Sequence, residues 1–184
     1  MQEIVAEIAK RNMESAGSTF PGAFMVEELN EGTLAICRRE FDKNGVPHYK
    51  EIVFSKKLMK DCLANDMVDS YDGAYGFFVD PDTLEEIKIS SQEKQDLIMQ
   101  HELAHFHHWD HTPEFDEMVY NNMCKLVPDY SKRIRVLAPA RGAVPSKCWP
   151  HQMTLVEWLT EKAARDARRR EECIRKALKG LRAR

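Results

Sequence analysis

No run of apolar residues in this 184-residue sequence is long enough to cross a membrane, so no transmembrane helix is expected. The first residues, 1–7, are acidic and amphipathic, unlike a signal peptide. The five cysteines are scattered and form no C-x-x-C pair, which argues against a disulfide framework and against a zinc ribbon. A phosphate-binding P-loop, an internal repeat and a low-complexity tract are also missing. These absences predict a cytoplasmic protein in a reducing compartment.

Composition and charge predict one folded domain with an extension. The chain is 43% hydrophobic, which is enough for one core. Residues 1–130 carry 12 Lys and Arg against 25 Asp and Glu, a net charge of −13, whereas residues 131–184 carry 15 against 5, a net charge of +10. We therefore expect an acidic domain at 1–136, a proline-containing linker at 137–150 and a basic helical tail at 151–184.

The pattern H-E-x-x-H at residues 101–105 is typical of a metal site with a base beside it. On an α-helix, His101 and His105 lie one turn apart on the same face, so both can bind one ion. Glu102 follows the first ligand, where its carboxylate can act as a base toward water at the metal. The spacing therefore predicts a zinc hydrolase.

A third ligand must come from His107, His108 or His111. On a continued helix, His108 would lie on the face of His101 but roughly 10 Å further along the axis, because an α-helix rises about 1.5 Å per residue. Three such rings cannot surround one ion at about 2.1 Å. The Thr-Pro pair at 112–113 predicts a helix break and a new helix start. This geometry favours His111, in the turn, as the third ligand.

The segment at 101–130 resembles zincin-type metalloproteins of the SprT-like, WLM-type and YgjP-type families. After H-E-x-x-H it contains a histidine in the setting H-T-P-E-F at 111–115, and then Pro-Asp-Tyr at 128–130, as in the YgjP type. The short gap between the second and third histidines is more similar to the WLM and YgjP types than to SprT itself. Metzincins and ImmA-like proteins match less well, because metzincins place glycine where His108 stands and ImmA-like proteins use an acidic third ligand.

The resemblance implies an α+β, zincin-like SprT-type domain: an N-terminal helix, a short antiparallel sheet, the H-E-x-x-H helix and a following helix, here with a basic C-terminal helix added. It implies a zinc metallopeptidase in which His101, His105 and His111 hold Zn²⁺ and Glu102 is the catalytic base. The substrate would be a protein or peptide, and in the SprT and WLM types a DNA-associated protein. The YgjP type implies a nucleotide phosphohydrolase instead, and a non-catalytic metal-stabilised binding protein is the third interpretation.

Other roles in the site are less determined by the sequence. Stabilising an oxyanion needs a donor, for which Tyr130, Tyr75 and His151 are eligible, and the Pro-Asp-Tyr match favours Tyr130. Histidine ligands also need hydrogen-bond acceptors on their second nitrogen. Three nearby acidic residues leave that choice open: Asp110, Asp116 and Glu117.

Periodicity predicts helices at 2–15, 55–64, 113–126 and 152–181, and a helix from residue 91 that contains the motif. Ser90 followed by Glu93 predicts a capping box at the start of that helix. Strands are expected at 23–29, 33–39 and 48–54, and residues 77–79 should pair with 86–89 across an Asp-Pro-Asp turn. Residues 71–76 are expected to form a loop.

Two surfaces have a predicted use. Zincin peptidases commonly bind an extended substrate along an edge strand, and residues 86–89 or 52–55 are candidates, although either can be an ordinary structural strand. The basic tail at 151–184 can contact nucleic acid phosphates, dock on the acidic domain or a partner helix, or be a solvated helix, since acidic residues interleave with the basic ones.

Overall fold

A computed structural model describes residues 1–17, 19–71, 76–137, 149 and 151–182, and within these residues the protein has a mixed α+β fold, as predicted. The helices are α1 (Gln2–Ala16), α2 (Lys56–Ala64), α3 (Ser91–Ala104), α4 (Pro113–Leu126) and α5 (Leu155–Arg182). The strands are β1 (Ala23–Glu27), β2 (Ala35–Phe41), β3 (Pro47–Ser55), β4 (Met67–Asp69), β5 (Phe77–Val79), β6 (Lys88–Ser90), β7 (Ile134–Leu137) and β8 (Met153–Thr154).

The first sheet has the strand order β1-β3-β2, so β3 is central and β2 forms one edge. β2 and β3 form the expected antiparallel hairpin. Its turn is closed by Asp42, whose carboxylate accepts hydrogen bonds from the backbone N–H groups of Asn44 and Val46, and Gly45 supplies a φ of 78°. β1, however, pairs with β3 in parallel, so the prediction of an all-antiparallel sheet is wrong. A turn signal between β1 and β2 indicates that the chain reverses, but not which strand it then pairs with.

Two smaller sheets complete the fold. β4 pairs with β6, and the third sheet has the order β5-β7-β8. The predicted pairing of residues 77–79 with 86–89 is reduced to one bridge between Val79 and Glu86, because β5 forms its ladder with β7 and β6 forms its ladder with β4. Most of the predicted loop at 71–76 lies outside the described residues.

Helix α3 lies at the centre of the molecule. One apolar cluster contains Ile98, Met99 and Leu103 of α3 together with side chains of α1, α2 and β3. A second cluster contains Leu97 and Ala104 of the same helix together with side chains of α4 and β5. Because α3 contributes to both clusters, nearly its whole circumference is buried, and this fixes the position of the motif that it carries.

The C-terminal segment begins on the body of the protein. Most of the predicted linker at 137–150 lies outside the described residues, but Trp149 is buried in the second cluster. Leu137 pairs with Thr154, and the Trp158 indole N–H donates to the Leu84 carbonyl at 3.1 Å. No helix among the described residues is both long and apolar enough to span a membrane.

Candidate metal centre

A side-chain cap defines the start of each of the two helices that flank the third histidine. The Ser90 hydroxyl accepts a hydrogen bond from the Glu93 backbone N–H at 3.1 Å, so one half of the predicted capping box is present, while the Glu93 carboxylate pairs with Arg133. α3 ends at Ala104, and α4 begins at Pro113 after the Thr112 hydroxyl caps it. α4 therefore starts where the Thr-Pro pair predicts it, whereas α3 already ends at Ala104, so residues 105–112 separate the two helices.

The structure brings His101, His105 and His111 together, as predicted. Each can offer one ligand nitrogen, and these atoms lie within 4.8 Å of one another. The three ring centroids are 5.0 Å apart in every pair. The buried ring of Phe115 lies 4.7 to 5.1 Å from all three centroids and packs beneath them. His107 and His108 are not members of this group.

The spacing of the ring nitrogens matches a metal site. Two nitrogens at about 2.1 Å from one tetrahedral ion lie roughly 3.4 Å apart. The Nε2 atoms of His101 and His111 are 3.2 Å apart. Three imidazoles at this spacing suit Zn²⁺, which takes three protein ligands in its catalytic sites. The residues present therefore fit a bound metal ion.

His105 is held in the form that a metal requires. Its Nδ1 lies 2.9 Å from the Trp109 carbonyl oxygen. A carbonyl can only accept, so Nδ1 carries the hydrogen and Nε2 keeps its lone pair for a metal. Burial, and then the neighbouring His111, lower the pKa of His105, which favours the neutral imidazole. The acceptor is thus a backbone carbonyl and not one of the acidic residues considered from the sequence.

The three histidines open onto a cleft of about 490 Å³ that also contains Glu102. Glu102 is only 5% exposed. Its charge contributes, after burial, to raising the pKa of the neighbouring Cys37 thiol to about 12. A buried carboxylate in a cleft lined by three potential ligands has the surroundings that a general base requires.

The opposite wall of the cleft is the edge strand β2 and the residues before it. Residues 32–37 line the cleft, and among the described residues β2 pairs with β3 alone. Neither of the two candidate edge strands considered from the sequence lies beside this site. Residues 52–55 belong to the central strand β3, and residues 86–89 pair partly with β4 and do not line the cleft.

The predicted oxyanion donors are not brought into the cleft. Tyr130 is 1% exposed, and its ring packs against Phe78 and Trp149 in the second cluster, so the arrangement gives no support to its catalytic role. His151 is exposed and does not line the cleft, and Tyr75 lies outside the described residues. The tyrosine of the Pro-Asp-Tyr match also packs against Tyr120 of α4, with ring centroids 6.1 Å apart, so it is part of the second apolar cluster.

A network of buried polar side chains anchors the back of α3. Asp96 accepts hydrogen bonds from Arg11 and from the Asn12 amide, the latter at 2.7 Å. The Gln100 amide donates to the Asn12 side-chain oxygen at 2.9 Å and accepts from the Asn122 amide at 3.0 Å. These bonds join α1, α3 and α4 and fix the rotation of the helix that positions His101 and His105.

Sequence reasoning missed Trp109, Cys37 and the Asn12–Gln100 pair. Trp109 lines the cleft and supplies the acceptor for His105. Polar residues at Asp96 and Gln100, one helical turn apart in a helix expected to be central, are the signal that a buried polar partner exists. Comparison with known proteins adds no assignment: no protein-family model, no curated protein and no solved structure matches this chain.

Proposed function

We propose that the protein is a zinc-dependent metallopeptidase. The observation that supports this proposal most strongly is that three histidine nitrogens within 4.8 Å of one another share a cleft with Glu102. The resemblance of residues 101–130 to SprT-like, WLM-type and YgjP-type zincins points in the same direction.

Zinc is the metal that this donor set favours. Three neutral imidazoles with no cysteine or carboxylate among the ligands are typical of catalytic zinc sites, in which the fourth position is left for water or substrate. A bound Zn²⁺ would supply Lewis acidity toward a substrate carbonyl and toward water. His101, His105 and His111 would hold it.

Glu102 acts as the base and then as the acid in the proposed reaction. Its carboxylate accepts a proton from the attacking water and passes it to the amine that leaves when the peptide bond breaks. Burial keeps this exchange away from bulk solvent, and the backbone of α3 holds the side chain beside His101. A structural metal site has no need of such a base, which argues against a purely stabilising metal.

The walls of the cleft favour a peptide over a nucleotide. An extended peptide can hydrogen-bond to the open edge of β2, whose residues 35–37 line the cleft beside the histidines. A nucleotide phosphate needs cationic partners. The described residues that line the cleft include no lysine or arginine, whereas they include Asp110 and Glu102. Phosphohydrolysis of the YgjP type is therefore the alternative that the site supports less.

The basic helix supports a nucleic acid partner. Beyond Arg169, which lies 3.9 Å from Glu85 of the body, the side chains of α5 through residue 180 are exposed. Seven of residues 168–182 are Lys or Arg, against two acidic residues. Such a helix can bind phosphates, and this would bring the cleft to DNA-associated protein substrates.

The test is hydrolysis by the full chain and by the Glu102→Gln variant. The wild type should bind one zinc ion and cleave casein or a mixed peptide library, and a chelator should abolish cleavage. Glu102→Gln should keep its zinc and lose cleavage by a factor of about 10² to 10⁴, because it removes general base catalysis but no ligand. Nucleoside triphosphates form the second substrate arm.

Two controls make the result interpretable. Glu7→Gln removes an exposed carboxylate from α1, outside the cleft lining, and should leave cleavage unchanged. Equal cleavage by wild type and Glu102→Gln would contradict the mechanism. Hydrolysis of nucleotides with intact peptides would instead establish the alternative.

A further inference from the structure

Trp109 is the residue of the turn between α3 and α4 that orients His105. This residue supplies the carbonyl that orients His105, and it lies two residues before the ligand His111. The Trp109 ring is 38% exposed, and its centroid lies 5.6 Å from that of His105. A contact that fixes the Trp109 ring therefore also fixes the Trp109 carbonyl that accepts from His105. It fixes the course of the backbone toward His111 as well.

Arg39 of β2 lies directly over the Trp109 ring. The guanidinium carbon is 3.4 Å from the indole centroid and 4.8 Å from the centroid of Phe41. A planar guanidinium stacked at this distance combines cation–π attraction with van der Waals contact. The contact joins the cleft wall on β2 to the turn that carries His111.

An irregularity in the hairpin completes this arrangement. The register of β2 against β3 shifts between Arg38 and Arg39, so that Arg39 lies opposite Tyr49 and Lys50 is left without a partner in the ladder. The Tyr49 ring then lies 6.4 Å from Trp109 and 4.9 Å from Phe106, which immediately follows His105. The β2–β3 hairpin thus contacts the turn at two residues, Phe106 and Trp109, that both follow His105.

We propose that Arg39, Tyr49 and Trp109 form an aromatic clamp that holds the turn in the metal-binding conformation, with Arg39 as a positioning residue. The clamp works through the backbone of Trp109 and not by contact with the metal. Acceptors that orient ligand histidines typically change metal affinity by about 10-fold to 100-fold when they are disturbed. The inference deepens the proposed zinc function, since it concerns how the same site is held.

Zinc affinity, measured without any substrate, tests the clamp. Competition with a chelator should show a Kd about tenfold weaker for Arg39→Ala than for wild type. Arg39→Lys should fall between the two, because it keeps the charge but loses the planar stack. The visible spectrum of bound Co²⁺ should change in Arg39→Ala, since that spectrum depends on ligand geometry, which a loss of general stability would not alter.

Lys50→Ala is the matched control. It removes a cation from the same hairpin, where Lys50 pairs with exposed Glu40, and should leave the zinc Kd unchanged. Urea unfolding of the metal-free variants shows whether Arg39→Ala is folded, and Arg39→Lys provides the test if it is not.

The outcomes separate the clamp from the proposed function. An Arg39→Ala variant that binds zinc within twofold of wild type, or that weakens no more than Lys50→Ala, overturns the clamp and leaves the peptidase proposal standing. Zinc binding without peptide cleavage by the wild type would contradict the peptidase but still allow the clamp to be measured by affinity. A wild type that binds no metal would overturn both.

Discussion

Helices α3 and α5 are both rich in charged and polar residues, yet those residues lie in opposite surroundings. In α3 the buried polar side chains include Glu93, Lys94, Asp96 and Gln100, and each has a partner elsewhere in the fold. In α5 most charged side chains face solvent, and several pair within the helix, such as Glu172 with Lys176. Burying a charged side chain is costly unless it has a partner. The partners of its buried side chains therefore hold α3 in one position, whereas the exposed side chains of α5 impose no such restraint.

The exposed apolar residues show the same contrast. α5 leaves Ile174 and Leu178 at 59% and 52% exposure, whereas every apolar side chain of α3 is buried. A metal site needs ligands held in fixed positions, and a buried helix can hold the histidines of the proposed site in this way. A helix that contacts a changing partner needs an accessible surface instead.

The largest difference should appear in cysteine reactivity. Burial and the charge of Glu102 raise the pKa of Cys37 from 9.0 to about 12, whereas Cys173 lies exposed on α5. The thiolate is the reactive form, so at pH 8 alkylation of Cys37 should be about a thousandfold slower in the folded protein than in the unfolded chain. Mass spectrometry after iodoacetamide treatment should find label on Cys173 first.

Two measurements test the direction of the pKa shift of Cys37. Removing the negative charge in Glu102→Gln should lower the pKa of Cys37 and speed its labelling, and slower labelling would contradict the assignment. Between pH 9 and 12 the unfolded thiol ionises while the folded thiol stays protonated. The free energy of unfolding should therefore contain a contribution that is complete below pH 9 and is lost as pH rises through 12.

The second effect is the cost of breaking the network behind α3. Asp96→Ala removes the buried carboxylate that accepts from Arg11 and Asn12, and should lower the free energy of unfolding by about 3 kcal/mol. Urea denaturation measures it. Glu172→Ala, which breaks an exposed pair on α5, serves as the control and should change stability by less than about 0.5 kcal/mol. Equal destabilisation of the two variants would remove the contrast between the helices.

The third effect is local stabilisation by the metal. Zinc at about a hundred times its Kd should add about 2.7 kcal/mol to the free energy of unfolding. Hydrogen exchange should slow in α3 and α4 and remain unchanged at 170–182. His111→Ala should abolish the gain while leaving the metal-free protein as stable as before, because the His111 side chain is exposed. Protection of the end of α5 by zinc would argue against an independent helix.

Local signals in the sequence were sufficient for the helices and for the grouping of the three histidines. Thr112 and Pro113 define the start of α4 and thereby the turn that carries His111, since capping and φ restriction act within a few residues. The hairpin at Asn44-Gly45 follows for the same reason. The clustering of three histidines is thus a local consequence of one helix break.

Features set by distant packing were not predictable in this way. The parallel pairing of β1 with β3, the position of β2 beside the cleft and the burial of Tyr130 depend on which elements meet. The alternation of residues along β2 does not predict which edge of this strand stays without a pairing strand. The register shift at Arg39, which sets the aromatic clamp, is likewise decided by both strands together.

The smallest effect on stability, and the most specific one, concerns the end of α5. Replacing exposed Arg170, Arg175 and Lys179 by Gln should leave the free energy of unfolding unchanged within about 0.5 kcal/mol. Binding to duplex DNA should weaken, and the slope of log K against log salt should become shallower by up to about 0.9 for each phosphate that the helix no longer neutralises. Fluorescence anisotropy at several salt concentrations measures both.

A second triple variant separates a docking surface from net charge. Lys43, Lys57 and Lys60 are exposed on the body, and their replacement by Gln removes the same three charges. If DNA binding depended on net charge alone, both variants would weaken it equally, and the contrast between the body and α5 would have no functional meaning. If the slope changes only in the α5 variant, the phosphates contact this helix. An exposed helix that contributes little to stability would then carry the partner contact, while the buried helix would serve the proposed metal site.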